Sequence, residues 1–166
     1  MMYKTHLSTS LNIAIPALAL NNELSLLTLT GVGLGSLLPD IDTPHSFIGA
    51  RLKIISYPLS IFFKHRGGLH SITPLLLILS LEIFLKSKFI LSISLGYFLH
   101  LLGDTFSKSG VNWFWPFSKK DVKIPIKLLT YKTGTFKEYV ILFVSIFILL
   151  IEMKIFNLNI INLLNY

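Results

Sequence analysis

The sequence contains no cysteine. This excludes disulfides, thiolate metal sites and cysteine nucleophiles, and it leaves the compartment open. Charge is also scarce: Asp, Glu, Lys and Arg make up 14% of the 166 residues, against 52% hydrophobic. A soluble domain carries about 25% charged residues, so too few remain here to cover a water-facing surface. The mean hydropathy of +0.69 agrees. A convincing small-residue cleavage site is missing after the weak N-terminal apolar run, which Pro16 interrupts. The start is therefore not read as a removed signal peptide. Internal repeats beyond two helical hairpins, and low-complexity linkers, are absent too.

The charge that is present is mostly positive, with a net charge of +7 and a pI near 9.7. The basic residues sit in two loop regions between apolar runs, as the positive-inside rule places them in membrane proteins, and anionic headgroups attract such segments. Membrane lipid is the expected partner and nucleic acid is not. Nothing in the sequence sets the oligomeric state.

Five apolar segments predict an all-α protein, a polytopic membrane helical bundle in a single domain spanning residues 1–166. Leu7 to Leu20 and Leu24 to Leu38 form one short hairpin about the polar turn Asn21-Asn22-Glu23. Ser71 to Leu85 and Phe89 to Gly103 form a second about Lys86-Ser87-Lys88. Each segment spans only about 21–24 Å at 1.5 Å per residue, short of the ~30 Å hydrocarbon core. A soluble helical core stays open for these four, and embedding them requires local thinning or flanking residues. The fifth, C-terminal segment, from about Tyr139 to Phe156, is expected to span unaided. Thr43 to Gly68 reads as an interfacial amphipathic segment broken at Pro58. Thr105 to Lys137 carries Trp113 and Trp115 beside many lysines, a headgroup-zone pattern in which both tryptophans would anchor the loop.

The hairpins return the polar residues to one membrane face: His6 opens the first helix, Asp40 and Asp42 follow the second, His65 and His70 precede the third, and His100 and Asp104 end the fourth. Four of the five histidines and three of the four aspartates converge there. His100 and Asp104, four apart, share one helix face and suit either one ion or a plain His–Asp hydrogen bond. Asp40 and Asp42 repel unless a cation or proton separates them, or they end a helix in an Asx turn between Pro39 and Pro44. His65-Arg66-Gly67-Gly68-Leu69-His70-Ser71 opens a helix with glycines that admit a ligand to the backbone, and Arg66 suits a phosphate. The alternative is a basic interfacial loop capped by Ser71. His45 reads as a turn residue, and Glu82, Glu138 and Glu152 need no role. Ionisable residues at a membrane edge default to function. His and carboxylate donors without cysteine suit zinc first, with manganese or iron as alternatives, and seven donors leave room for two ions.

Thr5-His6, Leu38-Pro39-Asp40-Ile41-Asp42, the run Ser46 to Lys53, His65-Arg66-Gly67 with His70-Ser71, Gly96-Tyr97 with His100, Asp104 and Trp115-Pro116 occur in an order that resembles the YdjM-like family of inner-membrane proteins classed as metal-dependent hydrolases. The resemblance covers roughly residues 5 to 125. Leu69 departs from it, standing where the family has a small hydroxyl residue. The resemblance implies a helical membrane protein with a hydrolase-type metal site. A more distant likeness, to zinc-dependent phospholipase C and related nucleases, rests on His/Asp ligands carried on helices.

The expected function is a membrane-bound metal-dependent hydrolase of a phosphoester or lipid-like substrate, with metal-activated water as nucleophile. The metal ligands are drawn from His6, Asp40, Asp42, His65, His70, His100 and Asp104. Asp40 or Asp42 serves as catalytic base, and Arg66 binds substrate. The alternative is a non-catalytic membrane protein that binds metal structurally. The excess of Lys and Arg on the site face predicts an integral protein of the cytoplasmic membrane with its site facing the cytoplasm and its C-terminus outside.

Overall fold

The computed structural model describes residues 1–62, 67–118, 120–127, 129–158 and 163. Among these the protein has six α-helices and no strand beyond two isolated bridges, Ser107 with Tyr131 and Val111 with Val122. It is all-α.

Helix α1, Tyr3–Leu20, begins four residues before the apolar run, so His6 lies in its first turn. Helix α2, Leu26–Gly35, starts at a reciprocal cap: the Thr28 backbone N–H donates to Ser25 Oγ at 3.2 Å, and the Ser25 N–H donates to Thr28 Oγ1 at 3.0 Å. Two of the helix's orphan donors are thereby satisfied. A short 3-10 turn, Leu38–Asp42, follows α2 and carries both aspartates. Helix α3, Lys53–Phe62, runs through Pro58 rather than breaking there. Proline removes a single i→i−4 bond, and in the turn before it Ser56 is fully buried with its N–H donated to the Leu52 carbonyl at 2.8 Å. Helix α4, Ile72–Leu85, is capped by Ser71. Lys86, in the left-handed region at φ 48°, closes α4 and leads into helix α5, Lys88–Thr105. Helix α6, Phe136–Ile155, comes last.

The centre of the molecule is the α2–α5 pair, with α4 against α5 and with α1 packed on α2, α5 and α6. Two glycines set how closely α2 and α5 approach. A Cβ on Gly35 would lie 2.1 Å from the Ile93 carbonyl oxygen, and one on Gly96 would lie 2.1 Å from that of Val32. The backbones touch, as in small-residue helix interfaces. This contact fixes the start of the 3-10 turn beside the last two turns of α5. Across the other side of the molecule, Asn12 Nδ2 donates to Ser145 O and Oγ and ties α1 to α6.

Among the described residues, no helix is long and apolar enough to cross a membrane. The fifth apolar segment forms α6, but Lys137 and Glu138 open it and Glu152 and Lys154 close it. Only Tyr139 to Ile151 is free of charge, a run of about 20 Å at 1.5 Å per residue, so the expected unaided span falls short. The distribution of side chains is nonetheless inverted. Ile54 (91%), Phe84 (84%), Phe136 (81%) and Phe143 (74%) are exposed, while His6, Asp42, His70, His100 and Asp104 are buried.

Candidate metal centre

His100 stands at the middle of the site, one turn before the end of α5. Its ring Nδ1 lies 2.7 Å from the Ser36 carbonyl oxygen. A carbonyl can only accept, so Nδ1 carries the proton and Nε2 keeps its lone pair. That lone pair faces His70 Nε2 at 3.3 Å and Asp40 Oδ1 at 3.9 Å. His70 Nε2 is in turn 3.4 Å from Asp40 Oδ1, and its other nitrogen, Nδ1, is 3.4 Å from Asp42 Oδ2. Asp40, His70 and His100 thus form a triangle of donor atoms, with Asp42 behind His70 and the Ser36 carbonyl behind His100.

This donor set fits a divalent ion. Zinc bonds of 2.0–2.1 Å in tetrahedral geometry separate neighbouring ligand atoms by about 3.3 Å, and two of the three edges measure 3.3 and 3.4 Å. Ligating histidines characteristically donate their far N–H to a carboxylate or a backbone carbonyl; His100 does so to Ser36, and the far nitrogen of His70 faces the Asp42 carboxylate at 3.4 Å. A second group, His6, His100 and Asp104, also offers three donor atoms within 4.8 Å of one another. His6 Nε2 lies 3.3 Å from Asp104 Oδ1, and its ring stacks on His100 at 3.7 Å. The Met1 amine reaches the same Asp104 oxygen at 2.8 Å. Both groups draw on the one free nitrogen of His100, so two ions could not each hold a complete triad at once.

Electrostatics binds the outer part of the site together. Burial pushes the His70 imidazole down, but its hydrogen bonds to Asp40 and Asp42 prevail and raise it to about 9. Burial raises the Asp40 carboxyl, and the hydrogen bond from His70 with the neighbouring imidazoles more than reverses this, holding it below the usual carboxylate range. Without an ion, a proton on His70 bridges the two aspartates.

A family model described as YdjM inner membrane protein matches residues 1–161. The chain belongs to this family. Inner membrane protein YdjM of Escherichia coli (strain K12) and its namesake in Shigella flexneri are each 40% identical over 87 residues, covering 48% of this chain and 44% of their own. Uncharacterized protein YvsG of Bacillus subtilis (strain 168) is 32% identical over 114 residues, 65% of this chain and 66% of its own. The chain spans less than half the length of the two YdjM relatives. No solved structure matches.

Of the residues expected in the site of this YdjM-family chain, six meet: His6, Asp40, Asp42, His70, His100 and Asp104. Asp42 stands behind His70 and outside both donor groups. His65 and Arg66 lie outside the described residues. Several contributors were not legible in the sequence. The Tyr97 hydroxyl donates to the Leu69 carbonyl and ties α5 to the segment bearing His70. Glu138 is fully buried and accepts from the backbone N–H groups of Met2 and Gly134. A cavity of about 710 Å³ reaches Asp40, and His45 and Lys4 line it. A buried acidic residue and a turn histidine give no periodic signal, so only tertiary placement exposes them. The two tryptophans of the expected headgroup zone are only partly exposed. Trp113 Nε1 donates to Thr105 Oγ1 at 2.8 Å, and both rings are half-buried. Between α5 and α6 the exposed aromatics among the described residues are Phe114 and Phe117.

Proposed function

We propose that the protein is an integral, polytopic component of the inner membrane and a metal-dependent hydrolase of a phosphoester or lipid-like substrate, with zinc as its first-choice ion. The observation that carries the reading is the Asp40–His70–His100 triangle, with Asp40 reaching a solvent-sized cavity. A structural site is closed, whereas a catalytic one keeps a position open, and Asp40 with its 18% exposed side chain stands at the mouth. The membrane reading is supported by the inverted burial, by the family's description and by its inner-membrane relatives. Helices this short would sit in the bilayer as paired hairpins with local thinning.

A divalent ion bound there would lower the pKa of a bound water toward ~7 and polarise a phosphoryl oxygen. Asp42 orients His70, and the Ser36 carbonyl orients His100. Asp40 faces the cavity, so an ion held there would stand open to substrate, and Lys4 at the cavity wall offers charge to an anionic substrate. The test is a screen of phosphodiester and phospholipid probes with purified, metal-loaded protein. Turnover that disappears with chelator and with His100→Ala is expected. Retention of metal with no turnover of any ester or phosphoester would instead favour the non-catalytic, structural metal reading.

A further inference from the structure

The long loop before α6 builds a second site that the metal chemistry does not use. A cavity of about 760 Å³ is lined by Lys108, Lys123, Lys127, Lys132 and Lys137, and by Thr135 and Phe136 at the start of α6. Five exposed lysines on one concavity give it a positive charge that favours an anion. The N-terminus of a twenty-residue helix opens onto the same space and adds its dipole. No carboxylate is among the described lining residues. The nearest acidic side chain of α6, Glu138, is buried and taken by two backbone N–H groups.

The cavity adjoins apolar space. Tyr131 lines it and also lines a neighbouring cavity of about 250 Å³ beside Gly103, Leu102 and Ile13. That second cavity shares Thr9, Ile13 and Ile141 with a groove between α1 and α6 walled by Val144 and Ile148. A polar, cationic pocket therefore stands beside an apolar groove along α6, with Tyr131 as the wall between them. From Phe136 to Ile148 the track is about 18 Å long at 1.5 Å per residue.

We propose that this track binds one anionic phospholipid, its phosphate held by the lysines at the α6 N-terminus and an acyl chain lying in the α1–α6 groove. Free phosphate would satisfy the lysines alone, whereas a lipid also accounts for the apolar groove beside them. The inference takes from the proposed function only the membrane as the source of the ligand, and it needs neither metal nor turnover.

The test is native mass spectrometry of the full-length, detergent-solubilised protein in chelator. It is titrated separately with phosphatidylglycerol, phosphatidylcholine and inorganic pyrophosphate. Phosphatidylglycerol should bind, and phosphatidylcholine should bind far more weakly. Lys123→Gln with Lys127→Gln should weaken phosphatidylglycerol roughly 30-fold, from about fivefold per lysine near a membrane surface. Lys86→Gln with Lys154→Gln, which removes the same charge elsewhere, should leave it unchanged. Ile13→Trp, which fills the groove, should weaken the lipid and spare pyrophosphate; circular dichroism confirms that each variant is folded. Equal binding of the two lipids, or an equal loss in the Lys86/Lys154 variant, would overturn the site. Tight pyrophosphate binding with no effect of Ile13→Trp on the lipid would overturn the lipid as its occupant.

Discussion

His100 can offer an ion one nitrogen only, because Ser36 holds the other. Replacing His100 or Asp40 by Ala should therefore strip most bound metal. Asp42→Asn should leave the ion bound but about 10–100-fold weaker, the usual cost of losing a carboxylate behind a ligating histidine; titration with a competing chelator measures both. The proton on His70 sets the pH dependence. Its imidazole is raised to about 9 without an ion, and a ligating nitrogen must be deprotonated. Below about pH 9 binding must displace that proton, so affinity should climb as pH rises toward 9, by up to roughly tenfold per pH unit. Calorimetry at pH 7.5 in buffers of different ionisation enthalpy should find about one proton released per ion; no proton release would contradict the assignment of His70. The same proton contributes stability in the ion-free protein. Because the folded value lies above the unfolded one, that contribution is complete below about 6.5 and fades as pH rises through 9. At this scale the sequence was informative. The convergence of His6, Asp40, Asp42, His70, His100 and Asp104 follows from hairpin topology alone. The division between ligand and orienting residue does not, because it depends on which ring nitrogen faces which oxygen.

The helices are legible where apolar runs end in polar turns. α4 and α5 follow the expected segments within two residues, since Ser71 caps one and Lys86-Ser87 punctuates the pair. α3 was less legible, because a proline inside ten residues reads as a break unless tertiary contacts hold the turn before it. The α2–α5 contact was present in the sequence as Gly31, Gly35 and Gly96 but had no partner to be read against. It yields a sharp prediction. Gly35→Ala or Gly96→Ala places a methyl 2.1 Å from a backbone carbonyl, which no side-chain rotation relieves. Overpacking of this kind costs about 1–3 kcal/mol or more, and displacement of Ser36 should weaken metal binding as well. Gly33→Ala meets only the flexible end of Leu7 at 3.3 Å and should be nearly neutral. Melting temperatures of the three variants, with and without zinc, decide the matter; equal melting of all three would mean that α2 and α5 are not in backbone contact.

For the whole molecule, composition indicated an apolar exterior before any helix was placed, and the exposed Phe84, Phe136 and Phe143 give that exterior its form. What composition did not reveal is that charged residues at both ends of α6 shorten its apolar stretch. The charge imbalance predicts that the metal-site face lies in the cytoplasm and the Lys86-Ser87 turn outside. Ser87→Cys should be labelled by an impermeant thiol reagent in intact cells and Ser118→Cys should not; the reverse pattern would invert the orientation while leaving the site's geometry untouched. The central claim is that Asp40, His70 and His100 hold one divalent ion. Elemental analysis of the purified full-length protein by inductively coupled plasma mass spectrometry tests it most directly. The account predicts about one divalent transition-metal ion per chain in the native protein and almost none in the Asp40→Ala/His100→Ala double variant. Undiminished occupancy in that variant, or a native protein that stays metal-free after reconstitution with zinc, manganese and iron, would contradict it.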